Sequence, residues 1–279
     1  MRIFISADIE GVAGIAHLPS TGPNRFEFDL GRKWYTEEVL AAIDGAEAAG
    51  ATQFVVADGH GTAHMLLLER FKENVRIVRS WPRPLLQMQG IEHGTFDAAV
   101  FVGHHGSAQS RLAVLGHTYT GAFRDIRVNG VSQSETTLNA LLAGHFGVPL
   151  VFSSGDHDYI AHVREALPDV ETVITKEAVG KSSTNTLMPK ASCALIRAGV
   201  EKALREKRAK VVAQPSSFRV ELDFQERSQP EMLDYLPWVT RTGTYTVETR
   251  FEDAVTLMKF ISFVSFFVPD GLPRYGEVP

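Results

Sequence analysis

Three short apolar runs within the first 106 residues each end in side chains that bind divalent cations, and each is closed by a glycine. They read Ser6-Ala7-Asp8-Ile9-Glu10-Gly11, Val55-Val56-Ala57-Asp58-Gly59-His60-Gly61 and Val100-Phe101-Val102-Gly103-His104-His105-Gly106. A run such as residues 98–102, with no polar alternation, is the signature of a strand covered on both faces. Open α/β sheets assemble their sites at the carboxyl ends of such strands. A chain with three of them must therefore bring those ends to one edge of a sheet.

The rest of the pattern agrees with that constraint. Further strands are predicted at 2–7, 53–57, 75–78 and 150–153, alternating with helices at 32–49, 63–71, 136–145, 159–166 and 189–207. Strand–helix alternation predicts an α/β fold, a mostly parallel central sheet flanked by helices. From Val211 the pattern changes to isolated strands at 218–224 and 244–248, so a smaller C-terminal α+β lobe is expected. The expected division is 1–210 for a metal-binding α/β core and 211–279 for the lobe. The tail after Pro269 is rich in Pro and Gly and carries no regular pattern.

Asp8 and Glu10, two residues apart on an extended segment, point to the same side at a separation of roughly 6–7 Å. A cation between them would relieve their repulsion. His60 and His104 join them as candidate ligands. His105 competes with His104, since adjacent residues leaving a strand face opposite ways. Asp58 is expected to orient His60 or to shape the turn at Gly59. Glu135 is a candidate third carboxylate, although an acidic residue in the first turn of a helix is equally well explained by the helix dipole. His117, after a loop of small residues, could shuttle a proton or be an ordinary loop histidine. Residues 176–189, with lysines and serines, could bind a substrate carboxylate or form a solvated loop.

Such a donor set suits two cations of the zinc type sharing a carboxylate, with a water acidified for attack. The single cysteine, Cys193, supplies no thiolate cluster and no intramolecular disulfide. A formal charge of -5, with both signs mixed along the chain, gives no basic stripe for nucleic acid. No apolar stretch approaches the ~20 residues needed to span a bilayer. A cytoplasmic protein without membrane attachment is expected. Gly-x-Ser-x-Gly is absent, and Gly11-Val12-Ala13-Gly14 lacks the third glycine of a dinucleotide fingerprint.

These motifs resemble the DppA-type D-aminopeptidases over nearly the whole chain. The opening Ser6-x-Asp8-x-Glu10-Gly11, the Asp58-Gly59-His60 segment, the Gly103-His104-His105 segment and Gly116-His117-Thr118 carry the resemblance. It implies two zinc ions per subunit on Asp8, Glu10, His60, His104 and Glu135, with His117 as the catalytic histidine. It also implies release of an N-terminal D-amino acid from short peptides, and a ring-shaped homo-oligomer such as a decamer. Ser134-Glu135-Thr136 departs from the family's usual Gly-Glu-Leu. Two other functions share the ligand pattern: a two-metal amidase or esterase without D preference, and a non-catalytic metal-binding subunit of an oligomer.

Overall fold

A computed structural model describes residues 1–267. Its first strand, β1 (Arg2–Ala7), is buried on both faces and sends alternate side chains into two cores. Ile3, Ile5 and Ala7 enter one core and Phe4 the other. Helix α1 (Phe28–Ala48) leads to β2 (Gln53–Asp58), β3 (Val75–Val78) and β4 (Ala98–His104). A hairpin of β5 (Phe123–Val128) and β6 (Val131–Ser132) precedes α2 (Glu135–His145). Then follow β7 (Leu150–Asp156), α3 (His157–Ala166), β8 (Glu171–Gly180), β9 (Ser183–Thr186) and α4 (Pro189–Glu206). The last described elements are β10 (Phe218–Phe224), α5 (Ser228–Leu233), β11 (Thr240–Arg241), β12 (Thr246–Phe251) and α6 (Ala254–Phe266).

The larger sheet has seven strands in the order β3-β2-β1-β4-β7-β8-β9. All its pairings are parallel except β8 with β9. Helices α1 and α4 pack together over the Ile3–Ile5 face. The opposite face is covered by α2, α3, α6 and a second, antiparallel sheet in the order β11-β12-β10-β5-β6. That sheet takes β5 and β6 from before residue 210 and β10 to β12 from after it, so it crosses the boundary expected from the sequence. The Pro- and Gly-rich tail after Pro269 lies outside the described residues. Among the described residues, no helix is long and apolar enough to cross a membrane.

One expected helix does not form. Residues 63–71 hold only a short 3-10 turn, Leu68–Arg70. Ala63 has a φ of 56°, and the amides of Met65 and Leu66 donate to the Asp58 carboxylate instead of to a helical ladder. A side-chain acceptor that captures backbone N–H groups competes directly with helix formation. The strand expected at 244–248 runs from Thr246 to Phe251. The 171–186 region, which the sequence pattern left without strands, forms the β8–β9 hairpin at the edge of the larger sheet.

The ends of β1 and β4 touch. Gly11 N–H donates to the Gly103 carbonyl at 2.7 Å, and a Cβ on Gly11 would lie 1.9 Å from the His104 carbonyl oxygen. Glycine is therefore required where the backbone after Glu10 crosses the strand that carries His104 and His105. Gly22 has nothing within 4 Å of the same position. Gly11→Ala is expected to lower the thermal midpoint by at least about 2–4 °C, with Gly22→Ala close to wild type; equal midpoints for the two variants would contradict the close approach.

Candidate metal centre

Strand ends β1, β2 and β4 and the start of α2 converge on one cleft. Asp8, Glu10 and Glu135 are 2%, 4% and 3% exposed, so three carboxylates are held out of water together. Burying such charges is costly unless they are paired or coordinate metal. The pairing partners present are few and specific.

His60, from the turn after β2, places Nδ1 2.9 Å from Glu10 Oε2 and 3.4 Å from Asp8 Oδ1. Its Nε2 donates to the Thr21 carbonyl at 2.9 Å. That second contact fixes the ring and turns Nδ1 toward the carboxylates, the arrangement expected of a metal-bound imidazole. Thr21, not Asp58, is thus the group that orients His60. Asp58 is the turn-former instead: its carboxylate accepts from Tyr35 Oη and the Met65 and Leu66 amides.

Glu135 is the first residue of α2, but it does not cap the helix. Ser134 Oγ accepts from Thr137 N at 3.2 Å, and Thr137 Oγ1 accepts from Ser134 N at 2.9 Å, closing a capping box. The Glu135 carboxylate is left to turn into the cleft, where it accepts from Tyr119 N at 2.7 Å. Gln87 Nε2 donates to Asp8 Oδ2 at 2.9 Å and to Glu135 Oε2 at 2.5 Å. Asn139 Nδ2 in turn donates to Gln87 Oε1 at 2.8 Å.

Both members of the histidine pair reach the cleft. His104 lies against Phe101, with ring centroids 5.1 Å apart, and its Nε2 is 3.2 Å from Ser6 Oγ. Among the described residues its Nδ1 is buried without a hydrogen-bond partner, and a ring nitrogen lies within 4.8 Å of a ligand oxygen of both Asp8 and Glu135. His105 Nδ1 donates to the Gly106 carbonyl at 2.8 Å. Its Nε2 faces Asp8 Oδ2 and Glu135 Oε1, at 3.6 Å from each, and among the described residues it too is buried without a hydrogen-bond partner. The His105 ring stacks on His117 at 4.3 Å and 16°. His117 Nδ1 meets the Leu115 carbonyl at 3.0 Å, and its Nε2 lies 3.9 Å from Glu135 Oε1.

Lys176 is not part of a solvated loop. It is 1% exposed, and Nζ donates to the carbonyls of Glu10, Val12 and Ile15, the last two at 2.9 and 2.6 Å. It grips the segment that carries Glu10 from beneath and is out of reach of a substrate carboxylate. Burial lowers its pKa to about 8.

The charges respond to one another as a site built for cations should. Burial alone would raise the Glu10 carboxyl, but His60 beside it holds it well below its ordinary value. Burial disfavours the His60 and His105 cations as well. Glu10 and Asp8 nonetheless raise His60 well above its ordinary value, and Glu135, Glu10 and Asp8 push His105 up to about 9. At His104 burial wins, and its pKa falls. The carboxylates therefore draw protons onto His60 and His105, which is where positive charge is wanted. Among the described residues, three groups of ligand atoms are close enough for one ion: Asp8–Glu10–His60, Asp8–His104–Glu135 and Glu10–His105–His117.

The D-aminopeptidase family model matches residues 1–263. The chain belongs to the D-aminopeptidase family. A D-aminopeptidase of Bacillus subtilis is 27% identical over 255 residues, covering 91% of this chain and 92% of the relative. A solved structure, described as the Zn-dependent D-aminopeptidase DppA from Bacillus subtilis, a self-compartmentalizing protease, superimposes with a TM-score of 0.88. It is 25% identical and covers 96% of this chain and 100% of its own. Like other members of the family, the chain is a metallo-aminopeptidase, a hydrolase of peptide bonds.

The cleft also relies on groups that no sequence motif marks, Gln87, Asn139 and the Thr21 carbonyl, and on Ser6, which the opening motif contains without a stated role. For Gln87 the sequence offers one local cue, a polar residue between the apolar Leu86 and Met88. A ligand nitrogen must give up its proton when a cation binds. At pH 7 both His60 and His105 start out protonated, so divalent-cation binding is expected to release between one and two protons per chain. Calorimetry in buffers of different ionisation enthalpy measures this; no proton release would contradict the charge arrangement described.

Proposed function

We propose that this D-aminopeptidase family member is a zinc enzyme with two ions per chain that removes an N-terminal D-amino acid from short peptides. The observation that carries the two-ion reading is the Asp8 carboxylate. Its Oδ1 faces His60 beside Glu10, and its Oδ2 faces His105 beside Glu135. One carboxylate serving two clusters is how neighbouring ions are bridged in two-metal hydrolases. The donor set of carboxylates and imidazoles without thiolate fits zinc in a catalytic role, and the Bacillus subtilis relative is described as Zn-dependent.

Asp8, Glu10 and His60 would hold one ion. Asp8, Glu135 and an imidazole of the His104–His105 pair would hold the other. The family resemblance implies His104, and in the structure His104 groups with Asp8 and Glu135 within 4.8 Å. His105 is favoured by distance, since Nε2 is 3.6 Å from both carboxylates, and by the stronger pull of those carboxylates on its proton. We therefore assign His105 to the second ion. His104, tied to Ser6, braces the strand end behind it.

Bound zinc supplies Lewis acidity, acidifying water and polarising the scissile carbonyl. The chain's own groups do the remainder. His117 is the proton carrier: its Nδ1 is committed to the Leu115 carbonyl, which leaves Nε2 facing the cleft beside Glu135. It can take a proton from the attacking water and hand it to the departing amine. Gln87 holds Asp8 and Glu135 at a fixed separation. Assembly into a homo-oligomer is supported by the relative's description as self-compartmentalizing, and a ring of ten subunits is the specific form put forward. A cytoplasmic location belongs to the same reading and is consistent with a chain that carries one cysteine.

The test pairs two dipeptides with one variant. The zinc-loaded protein is expected to cleave D-Ala-D-Ala and to leave L-Ala-L-Ala intact, and His117→Ala to lower kcat by about 10²–10⁴-fold with zinc content unchanged. Equal turnover of the two dipeptides removes the D assignment, and an unimpaired His117→Ala removes the proton-carrier role.

A further inference from the structure

The lining of the catalytic cleft is of two kinds. Beside Asp8, His60, Gln87, Glu135 and His117, an apolar wall of Trp81, Leu86 and Phe266 lines the same cleft. None of these three brings a charge. Trp81 is pinned on several sides: its Nε1 donates to the Gly61 carbonyl at 2.7 Å, the Arg83 guanidinium lies 4.0 Å from its ring centroid, and the Phe266 ring lies 5.0 Å away. Arg83 is committed to structure through Nε and Nη2, while its Nη1 is buried without a hydrogen-bond partner among the described residues. It is 3% exposed and donates to the carbonyls of Ser80 and Asp58, both at 2.6 Å. Ser262 of α6 donates to the Arg83 carbonyl at 2.6 Å, which fastens the helix that carries Phe266 to the same turn.

This wall is locked in register with the metal ligands. Gly61, which holds the indole, directly follows His60. Leu86, 1% exposed, directly precedes Gln87, the amide that joins Asp8 to Glu135. A shift of this wall relative to the ligands would break one of these hydrogen bonds. The distance between the reacting carbonyl and the apolar surface is therefore set by the same residues that set the ligands.

We propose that Trp81, Leu86 and Phe266 form the subsite for the side chain of the substrate's N-terminal residue, so that the enzyme cleaves peptides beginning with an apolar residue larger than alanine faster than those beginning with alanine. This rests on the aminopeptidase reading given above. In that reaction the carbonyl that is cut belongs to the N-terminal residue, whose side chain branches from the adjacent carbon. With the carbonyl and amine held by the ligand residues, that side chain meets the apolar surface in one configuration and turns away from it in the other. A polar or charged side chain placed against two aromatic rings and a leucine would lose hydration. An apolar one gains by leaving water.

Amino-acid amides test this, because they carry no second side chain. For the zinc-loaded wild type, kcat/KM for D-Leu amide is expected to exceed that for D-Ala amide. In Trp81→Ala the ratio is expected to fall about 10–100-fold, the scale on which apolar pockets discriminate, and in Trp81→Phe to be partly restored. Phe266→Ala, at a position 39% exposed and so tolerant of truncation, is expected to lower the ratio in the same direction. A ratio unchanged in both alanine variants overturns the subsite, as does selectivity that follows the second residue when D-Leu-D-Ala is compared with D-Ala-D-Leu. Wild-type protein that cleaves neither amide nor dipeptide would instead overturn the aminopeptidase reading, and the subsite with it.

Discussion

The structure is organised around the burial of three carboxylates in one cleft. Asp8, Glu10 and Glu135 are almost wholly removed from water, and like charges so placed are tolerated only if cations or strong donors meet them. The chain answers with two imidazoles whose pKa values rise, with the Gln87 amide shared between two carboxylates, and with main-chain N–H groups from Ile9 and Tyr119. Divalent ions would replace the protons on those imidazoles and satisfy the charge more completely. The electrostatics and the catalytic chemistry are thus the same fact seen twice.

Much of the fold exists to hold that arrangement. The parallel core brings the ends of β1, β2 and β4 to one edge. Glycines at 11 and 103 let the chain after β1 pass within hydrogen-bonding distance of β4. Lys176 reaches from β8 to three carbonyls of the same crossing segment. Glu38 of α1 holds it from another side, accepting from Ala13 N at 3.0 Å and Ser192 Oγ at 2.7 Å. Burial pushes the Glu38 carboxyl up to about 7 despite these bonds. The cost of these interior polar groups is borne by a segment of few residues, the one that positions Glu10.

The elements legible from sequence were those whose cause is local. Strand ends such as Ser6-x-Asp8-x-Glu10-Gly11 carry both the apolar run and the ligand within a few residues, so their role could be read directly. Residues 63–71 were misread as helix because the decisive interaction, the Asp58 carboxylate on the Met65 and Leu66 amides, is a contact that helical periodicity does not reveal. Gln87 meets Asp8 and Glu135, and Asn139 meets Gln87, only after distant segments fold together. Lys176 looked like a loop lysine because its three acceptors lie more than 160 positions away. The choice between His104 and His105 turns on side-chain direction at a strand end, where a change of one residue reverses the face.

The account depends on Asp8 standing between two ions. Anomalous diffraction at the zinc edge from crystals of the zinc-loaded protein tests this most directly. Two peaks are predicted, one bounded by Asp8, Glu10 and His60 and the other by Asp8, Glu135 and the Nε2 of His105. A single peak, or a pair in which Asp8 touches only one ion, would contradict the central claim.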